Sequence, residues 1–368
     1  VVMLAKEMGR ELDVLHCHDW QSALIPAYLK TVYLRDPFFY PTASLFTIHN
    51  MGYQGIFPAH GLGVCGLPGT EFHMEAIEYW GGISLLKAGI VYADALTTVS
   101  PTYSLEIQSP EFGLGMDGVL RRRSDRLFGI LNGADYGVWN PETDTHLPSR
   151  YTANDRQGKR TCKIALLGEA GLDERLLDRP VCGVISRLTV QKGYELIVGA
   201  VDKLVEMDVG LVILGAGEPK YQDTVAALRD KYPSRISVWL GFDEPLAHRI
   251  MAGSDILLVP SLYEPCGLTQ LHAMKYGTVP IVRATGGLED TVDAVDSESG
   301  SGTGFKFYGY ESVDFISEIQ RAVQLYENRR MWDKIMANDM AADFSWERSA
   351  RRYLALYEDL STRKRRGV

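Results

Sequence analysis

Residues 260–280 read PSLYEPCGLTQLHAMKYGTVP and follow directly on the apolar run ILLV at 256–259. The run reads as a buried strand and 271–276 as a helix. Between them stand an acid, Glu264, two turn residues, Pro265 and Gly267, and a thiol, Cys266. A helix start presents unpaired N–H groups and the positive end of a dipole, which suits an anion. A glycine at 267 lets the backbone come close to a ligand. An acid touching a phosphate there would repel it, so Glu264 is read as the partner of a neutral, hydroxyl-rich group. A carboxylate can accept from two sugar hydroxyls at once. The plainer reading of Glu264, as an N-terminal helix charge, stays open. Arg187 and Lys192, in SRLTVQKG at 186–193, stand in a similar place behind another apolar run. A forked guanidinium with a mobile ammonium can clamp a diphosphate. Simple solvent exposure is the alternative.

Other candidates carry less. His16 and His18 alternate on a strand and so share a face, and with Asp19 they could ligate a metal. No further cluster completes such a site, and no metal is expected. LGAGEPK at 214–220 lacks the third glycine of a dinucleotide fingerprint. Asp-x-Asp, Walker A and G-x-S-x-G patterns are absent. Tyr53, Phe57, Tyr79, Trp80 and Trp139 could stack on sugar rings, but such residues more often pack a core or a loop.

These residues need a scaffold that presents them together. Short apolar runs at 13–17, 44–48, 95–99 and 127–131 alternate with helical segments such as 21–33. A second series, at 181–185, 210–214, 236–240, 256–259 and 279–282, alternates with helices such as 194–206. Such runs predict parallel sheets covered on both faces, an α/β chain. Ligands bind outside the carboxyl ends of the strands in such sheets. There the polar motifs collect: HCHDW (16–20), HNMGYQG (49–55), NGADYGVW (132–139), SRLTVQKG, LGAGEP, and RATGGLED (283–290). Two sheets pointing their polar ends at one cleft between domains is the simplest arrangement. The charged stretch 168–180 is read as the hinge, dividing the chain into 1–169, 170–342 and a terminal helix at 343–368 that could pack on either domain. The Ser/Gly-rich stretch 297–304 reads as a loop.

With 368 residues, two domains are the natural expectation. A formal net charge of −9 argues against a nucleic-acid partner. No apolar run approaches the ~20 residues of a membrane-spanning helix. Five widely spaced cysteines without C-x-x-C suggest reduced thiols in a cytosol-like compartment. The first ten residues lack an initiator Met and read as the middle of a helix, so the sequence is expected to be the later part of a longer chain.

The motifs HCHDWQSALIPAYLK, TIHNMGYQGIFP, LNGADYGVWNP, VISRLTVQKGYELI, LGAGEP and PSLYEPCGLTQLHAMKYGTVPIVRATGGLEDTV together resemble the bacterial-type glycogen synthase and plant starch synthase family. The resemblance spans essentially the whole chain. It implies a GT-B fold of two Rossmann-like domains and a retaining, metal-independent transfer of glucose. The donor would be ADP-glucose and the acceptor the non-reducing end of an α-1,4-glucan, with no cofactor, nucleic acid or membrane partner. A bacterial cytoplasmic setting is implied first, a plastid one second. Arg187 and Lys192 would hold the diphosphate, and Glu264 the glucose hydroxyls. Gly267, Leu268 and Thr269 would meet the phosphates. His49 would lie against the glucose, with Asp19 and Asn132 lining the donor or acceptor side. Cys266, Gly215, Tyr53 and Gln54 complete the expected substrate-binding set. The family's K-x-G-G-L segment, which also contacts the nucleotide sugar, is absent here. An inactive glucan-binding relative, or another GT-B sugar transferase, is the competing reading.

Overall fold

The computed structural model describes residues 1–367. The chain divides into two compact units: Val1–Asn132 joined by the segment from Glu347 onward, and Gly133–Trp346.

The first unit contains β1 (Val14–His18), β2 (Ala43–Ile48), β3 (Ile56–Pro58), β4 (Glu78–Tyr79), β5 (Gly82–Ser84), β6 (Ala95–Thr98) and β7 (Leu127–Gly129). Its main sheet is parallel, in the order β1-β2-β6-β7. Every residue of β2 and β6 is buried, which is why both read as unbroken apolar runs with small hydroxyls. A small antiparallel sheet, β3-β5-β4, was not expected. Its strands of two or three residues are too short to show a period of two. The helix expected at 21–33 forms as two pieces, Asp19–Ser22 and Leu24–Lys30. Pro26 lacks the N–H that would continue the ladder to Ser22. The terminal helix Trp346–Arg366 belongs with this unit from Glu347 onward. Its Leu360 joins Ala43, Leu45 and Ala95 in one apolar cluster.

The second unit contains β8 (Val181–Ile185), β9 (Gly210–Gly215), β10 (Ile236–Leu240), β11 (Ile256–Val259), β12 (Val279–Arg283) and β13 (Phe305–Phe307). All six are parallel, in the order β10-β9-β8-β11-β12-β13. The chain winds outward from β8 to β10, then starts again on the other side with β11. The carboxyl ends of β8 and β11 therefore flank the point where strand order reverses, the ligand position of open α/β sheets.

The stretch 168–180 is not where the compact units part. Helix Gln157–Ala170 lies within the second unit, and its Leu166 and Leu167 pack with Leu176, Val181 and Ile250. Its charged, Gly-containing end is a helix C-terminus closed by Gly171 in the left-handed region (φ 65°), so it reads like a linker without being one.

Candidate functional site

Two loops meet at the reversal of the second sheet. The loop after β8 carries Arg187 and Lys192, and the loop after β11 carries Glu264. The Leu262 N–H donates to the Gln191 carbonyl (2.9 Å), and Gln191 Nε2 donates to the Tyr263 carbonyl (3.3 Å). Gly193 makes this approach possible. Its φ is 72°, and a Cβ there would stand 2.0 Å from the Pro260 carbonyl oxygen. Only glycine fits both demands.

Sewn together in this way, Lys192 Nζ reaches Glu264 Oε2 at 2.5 Å. The same oxygen accepts from Ser261 Oγ at 2.9 Å. Glu264 is 6% exposed, and its carbonyl accepts the Gly287 N–H at 3.0 Å. The two residues assigned from sequence to opposite duties, diphosphate and sugar, are thus an ion pair. The Oε2 oxygen is thus already committed within the fold. Oε1 can still accept, and the ammonium has two further N–H donors to offer. Arg187 is exposed, and its Nη2 donates to Gln191 Oε1 at 3.3 Å.

The helix after this loop starts two residues beyond Gly267. The helix runs Thr269–Lys275, seven residues, and Leu268 is its cap. Gly267 precedes it at φ 71°, and a Cβ there would meet Gln270 Oε1 at 2.4 Å. Gln270 is fully buried and donates to the carbonyls of Cys266 (3.1 Å) and Gly267 (3.0 Å). The space on the Cβ side of Gly267 is thus filled by Gln270. Cys266 is buried, Leu268 is 41% exposed and Thr269 is half-buried. Gly215 ends β9, and its carbonyl accepts the Gly241 N–H at 3.0 Å.

In the first unit, the ends of β1 and β2 bring His18, Asp19 and His49 together. His18 Nδ1 and His49 Nε2 lie 3.0 Å apart. Burial, then the neighbouring His49, hold the His18 imidazole below its ordinary pKa. Asp19 accepts the His49 N–H at 2.8 Å and itself sits at φ 53°, a left-handed conformation that Asp tolerates better than most residues. It fixes the HNMGYQG loop. His16 bonds Thr47 Oγ1 (2.6 Å) and Tyr357 Oη (2.7 Å), so both ring nitrogens are committed within the fold. No group of three or more metal-ligating side chains occurs among the described residues. Tyr53 is 52% exposed and Asn132 half-buried. Gln54 does not present its amide: it is 9% exposed and donates to the Leu114 carbonyl at 2.9 Å. Among the aromatics, Tyr79 Oη donates to the Leu114 carbonyl (3.1 Å), and the Phe57 ring lies 5.8 Å from Trp20. Trp80 is 87% exposed.

Ser261 and Gln191, which bond the candidate residues, are the neighbours that sequence reasoning missed. Ser261 stands three residues before Glu264, a spacing that could have flagged it. His18 was weighed only as a metal ligand.

Trp139 is packing. Its indole is sandwiched between His248 (centroids 3.8 Å) and His272 (4.2 Å). Burial, then His248, press His272 down to about 3. Between that value and the ordinary 6.5 the unfolded chain binds a proton at this residue and the folded chain does not. Stability contributed by neutral His272 is therefore lost as pH falls through this window. The melting temperature is expected to fall from pH 6.5 to pH 4, and to fall less steeply in His272→Phe, which keeps the stack. Parallel curves for the two proteins would show that His272 does not set this slope.

Residues 1–122 match the family model of the starch synthase catalytic domain, and residues 174–338 that of glycosyl transferases group 1. The glycogen synthase of Koribacter versatilis is 47% identical over 346 residues, covering 94% of this chain and 71% of the relative. That of Thermotoga maritima is 45% identical over 356 residues, covering 96% and 73%. Among solved structures, the catalytic domain of starch synthase IV from Arabidopsis thaliana, bound to ADP and acarbose, matches with a TM-score of 0.92 at 35% identity, over 98% of this chain and 75% of that one. Sucrose-phosphate synthase from Thermosynechococcus elongatus matches at 0.60 and 20% identity, over 98% and 76%, a likeness of fold alone. With these identities over nearly its whole length, and its polar motifs at the ends of two parallel sheets, the chain belongs to the glycogen synthase and starch synthase family of GT-B glycosyltransferases.

Proposed function

We propose that this glycosyltransferase moves glucose from ADP-glucose to the non-reducing end of an α-1,4-glucan with retention of configuration. The observation that carries the assignment of residues is the partly buried Lys192–Glu264 pair, with Arg187 on the same loop as Lys192, at the strand-order reversal of the second unit. The names of the curated relatives, and the ADP and acarbose of the starch synthase IV structure, support the choice of donor and acceptor.

In this reading, the bond between the anomeric carbon and the β-phosphate oxygen breaks. A bond forms from that carbon to the 4-hydroxyl oxygen of the terminal glucose. The hydroxyl proton leaves with ADP. Negative charge grows on the bridging oxygen as the first bond weakens. Arg187 and Lys192 are preorganised cations for that charge, the kind of group that lowers a barrier most. Glu264 holds the glucose through Oε1 and keeps Lys192 in place through Oε2. His49, positioned by Asp19 and His18, is read as a sugar-binding residue, with Asn132 and Tyr53 as further substrate contacts.

Incubation with labelled ADP-glucose or UDP-glucose and glycogen tests the donor. Incorporation is expected from ADP-glucose; preferential incorporation from UDP-glucose would favour another sugar transferase. The chemistry described uses cationic side chains alone, so EDTA is expected to leave the rate unchanged. Complete loss on chelation, reversed by a divalent ion, would require a metal in the step.

A further inference from the structure

The small antiparallel sheet of the first unit holds a residue that neither packing nor turn chemistry explains. β4 and β5 are joined by a two-residue turn, Trp80-Gly81, with Tyr79 paired to Gly82. Both turn residues lie at positive φ, 51° and 80°, the arrangement of a type I′ turn. The first position of that turn favours Asn, Asp or Gly, and a bulky residue is strained there. Trp80 gains nothing from the core in return, because it is almost wholly exposed. The surroundings hold it nonetheless. The Gly81 N–H donates to Glu78 Oε1 at 2.8 Å. Buried Lys87 donates to the carbonyls of Met74 (2.6 Å) and Glu78 (2.5 Å), tying down the segment before the turn. Tyr79 Oη donates to the Leu114 carbonyl at 3.1 Å, and Gly115 leaves it room, since a Cβ there would stand 2.5 Å from that hydroxyl. A strained residue upheld by its neighbours points to a use for its side chain.

Trp80 and Tyr79, their rings edge to face with centroids 6.3 Å apart, line a pocket of about 570 Å³. Met74 and Val119 add apolar surface to it, and Glu75 and Arg122 add polar groups. Glu75 and Arg122 neutralise each other at 2.8 Å, both more than half exposed. Glu78 and Lys87 balance as the other two charged lining residues. The pocket therefore suits a neutral ligand with an apolar face and many hydroxyls. We infer that it binds a stretch of α-glucan, a contact with the acceptor polymer separate from Arg187, Lys192 and Glu264; this rests on the glucan acceptor proposed above. The C–H face of a glucose ring would lie on the Trp80 indole, and its hydroxyls would bond Glu75 and Arg122. The turn and the Tyr79 ring are already fixed, so binding orders little more of the chain.

The test is native electrophoresis through gels with and without glycogen, together with calorimetric titration with maltoheptaose, both in the absence of a donor. Retardation by glycogen and saturable binding of maltoheptaose are expected. Trp80→Asn should weaken both about tenfold, as loss of an aromatic anchor predicts. Trp80→Phe, which keeps a ring, should retain most of the affinity. Asn suits the first position of this turn, so Trp80→Asn should melt at the same temperature as the parent or higher. In turnover assays it should raise KM for glycogen and leave kcat and KM for ADP-glucose unchanged. No saturable glucan binding, affinity unchanged in Trp80→Asn, or a melting temperature lowered by several degrees would overturn the inference. So would an effect of Trp80→Asn on self-association alone, which would assign the ring to a second copy of this chain. A protein that binds glucan through Trp80 yet transfers no glucose would leave the inference standing and remove the proposed function.

Discussion

Lys192→Ala is expected to cut glucosyl transfer by on the order of 10²–10³ and, separately, to destabilise the second unit. The catalytic loss follows from removing a fixed cation beside the leaving diphosphate. The loss of stability follows from the pair. Glu264 is 6% exposed, and without the ammonium its charge is left with Ser261 as its side-chain partner. Removing one member of a buried ion pair costs about 3 kcal/mol or more, because the other stays desolvated. Several degrees of melting temperature should go with it. The two effects separate in the double variant Lys192→Met with Glu264→Leu. Replacing both members by apolar groups of similar size should restore much of the stability and none of the activity. Arg187→Ala, at an exposed position, should lose activity to a similar degree with almost no change in melting. A Lys192→Ala protein that melts like the parent would show that the pair contributes nothing to the fold; one that transfers at near-parent rates would remove Lys192 from the mechanism.

Glu264→Gln should lower transfer about ten- to hundredfold, the size expected when hydrogen bonds to a charged group are weakened. Gln keeps the shape and one acceptor oxygen. It loses the charge that holds Lys192 and the second acceptor that the sugar would use. ADP affinity should move the other way. A Lys192 released from its carboxylate is free to spend its charge on phosphate, so ADP should bind equally or more tightly. Calorimetry with ADP and turnover on glycogen, measured on one preparation, separate the two. A collapse of ADP affinity with turnover intact at saturating donor would place Glu264 on the nucleotide side.

The sequence made the strands of the second unit plain, because fully apolar runs of four to six residues, 181–185 and 256–259 among them, have few other places to go in a chain that alternates them with helices. It also located the loops that matter, since polar residues behind such runs sit at carboxyl ends. The pairing of Lys192 with Glu264 was beyond it. They are 72 residues apart and meet only because β8 and β11 are neighbours, a fact of topology rather than of local pattern. The packing roles of Gln54 and Gly267 were out of reach for a related reason. Both stand inside functional motifs, yet one is buried against Leu114 and the other makes room for Gln270, so their residue types answer to packing. The compact boundary at 132/133 was hidden because a charged helix end at 168–171 carries the same residues that a linker would.

The central claim is that this site transfers glucose from ADP-glucose to the non-reducing end of a glucan. The direct measurement is incubation of the protein with ADP-[¹⁴C]glucose and glycogen, followed by brief digestion of the polymer with β-amylase, which cleaves only from non-reducing ends. The account predicts label in the polymer, released in the first maltose, and label reduced by on the order of 10²–10³ with Arg187→Ala. Label absent from the polymer, label that resists β-amylase, or label undiminished in Arg187→Ala would contradict it.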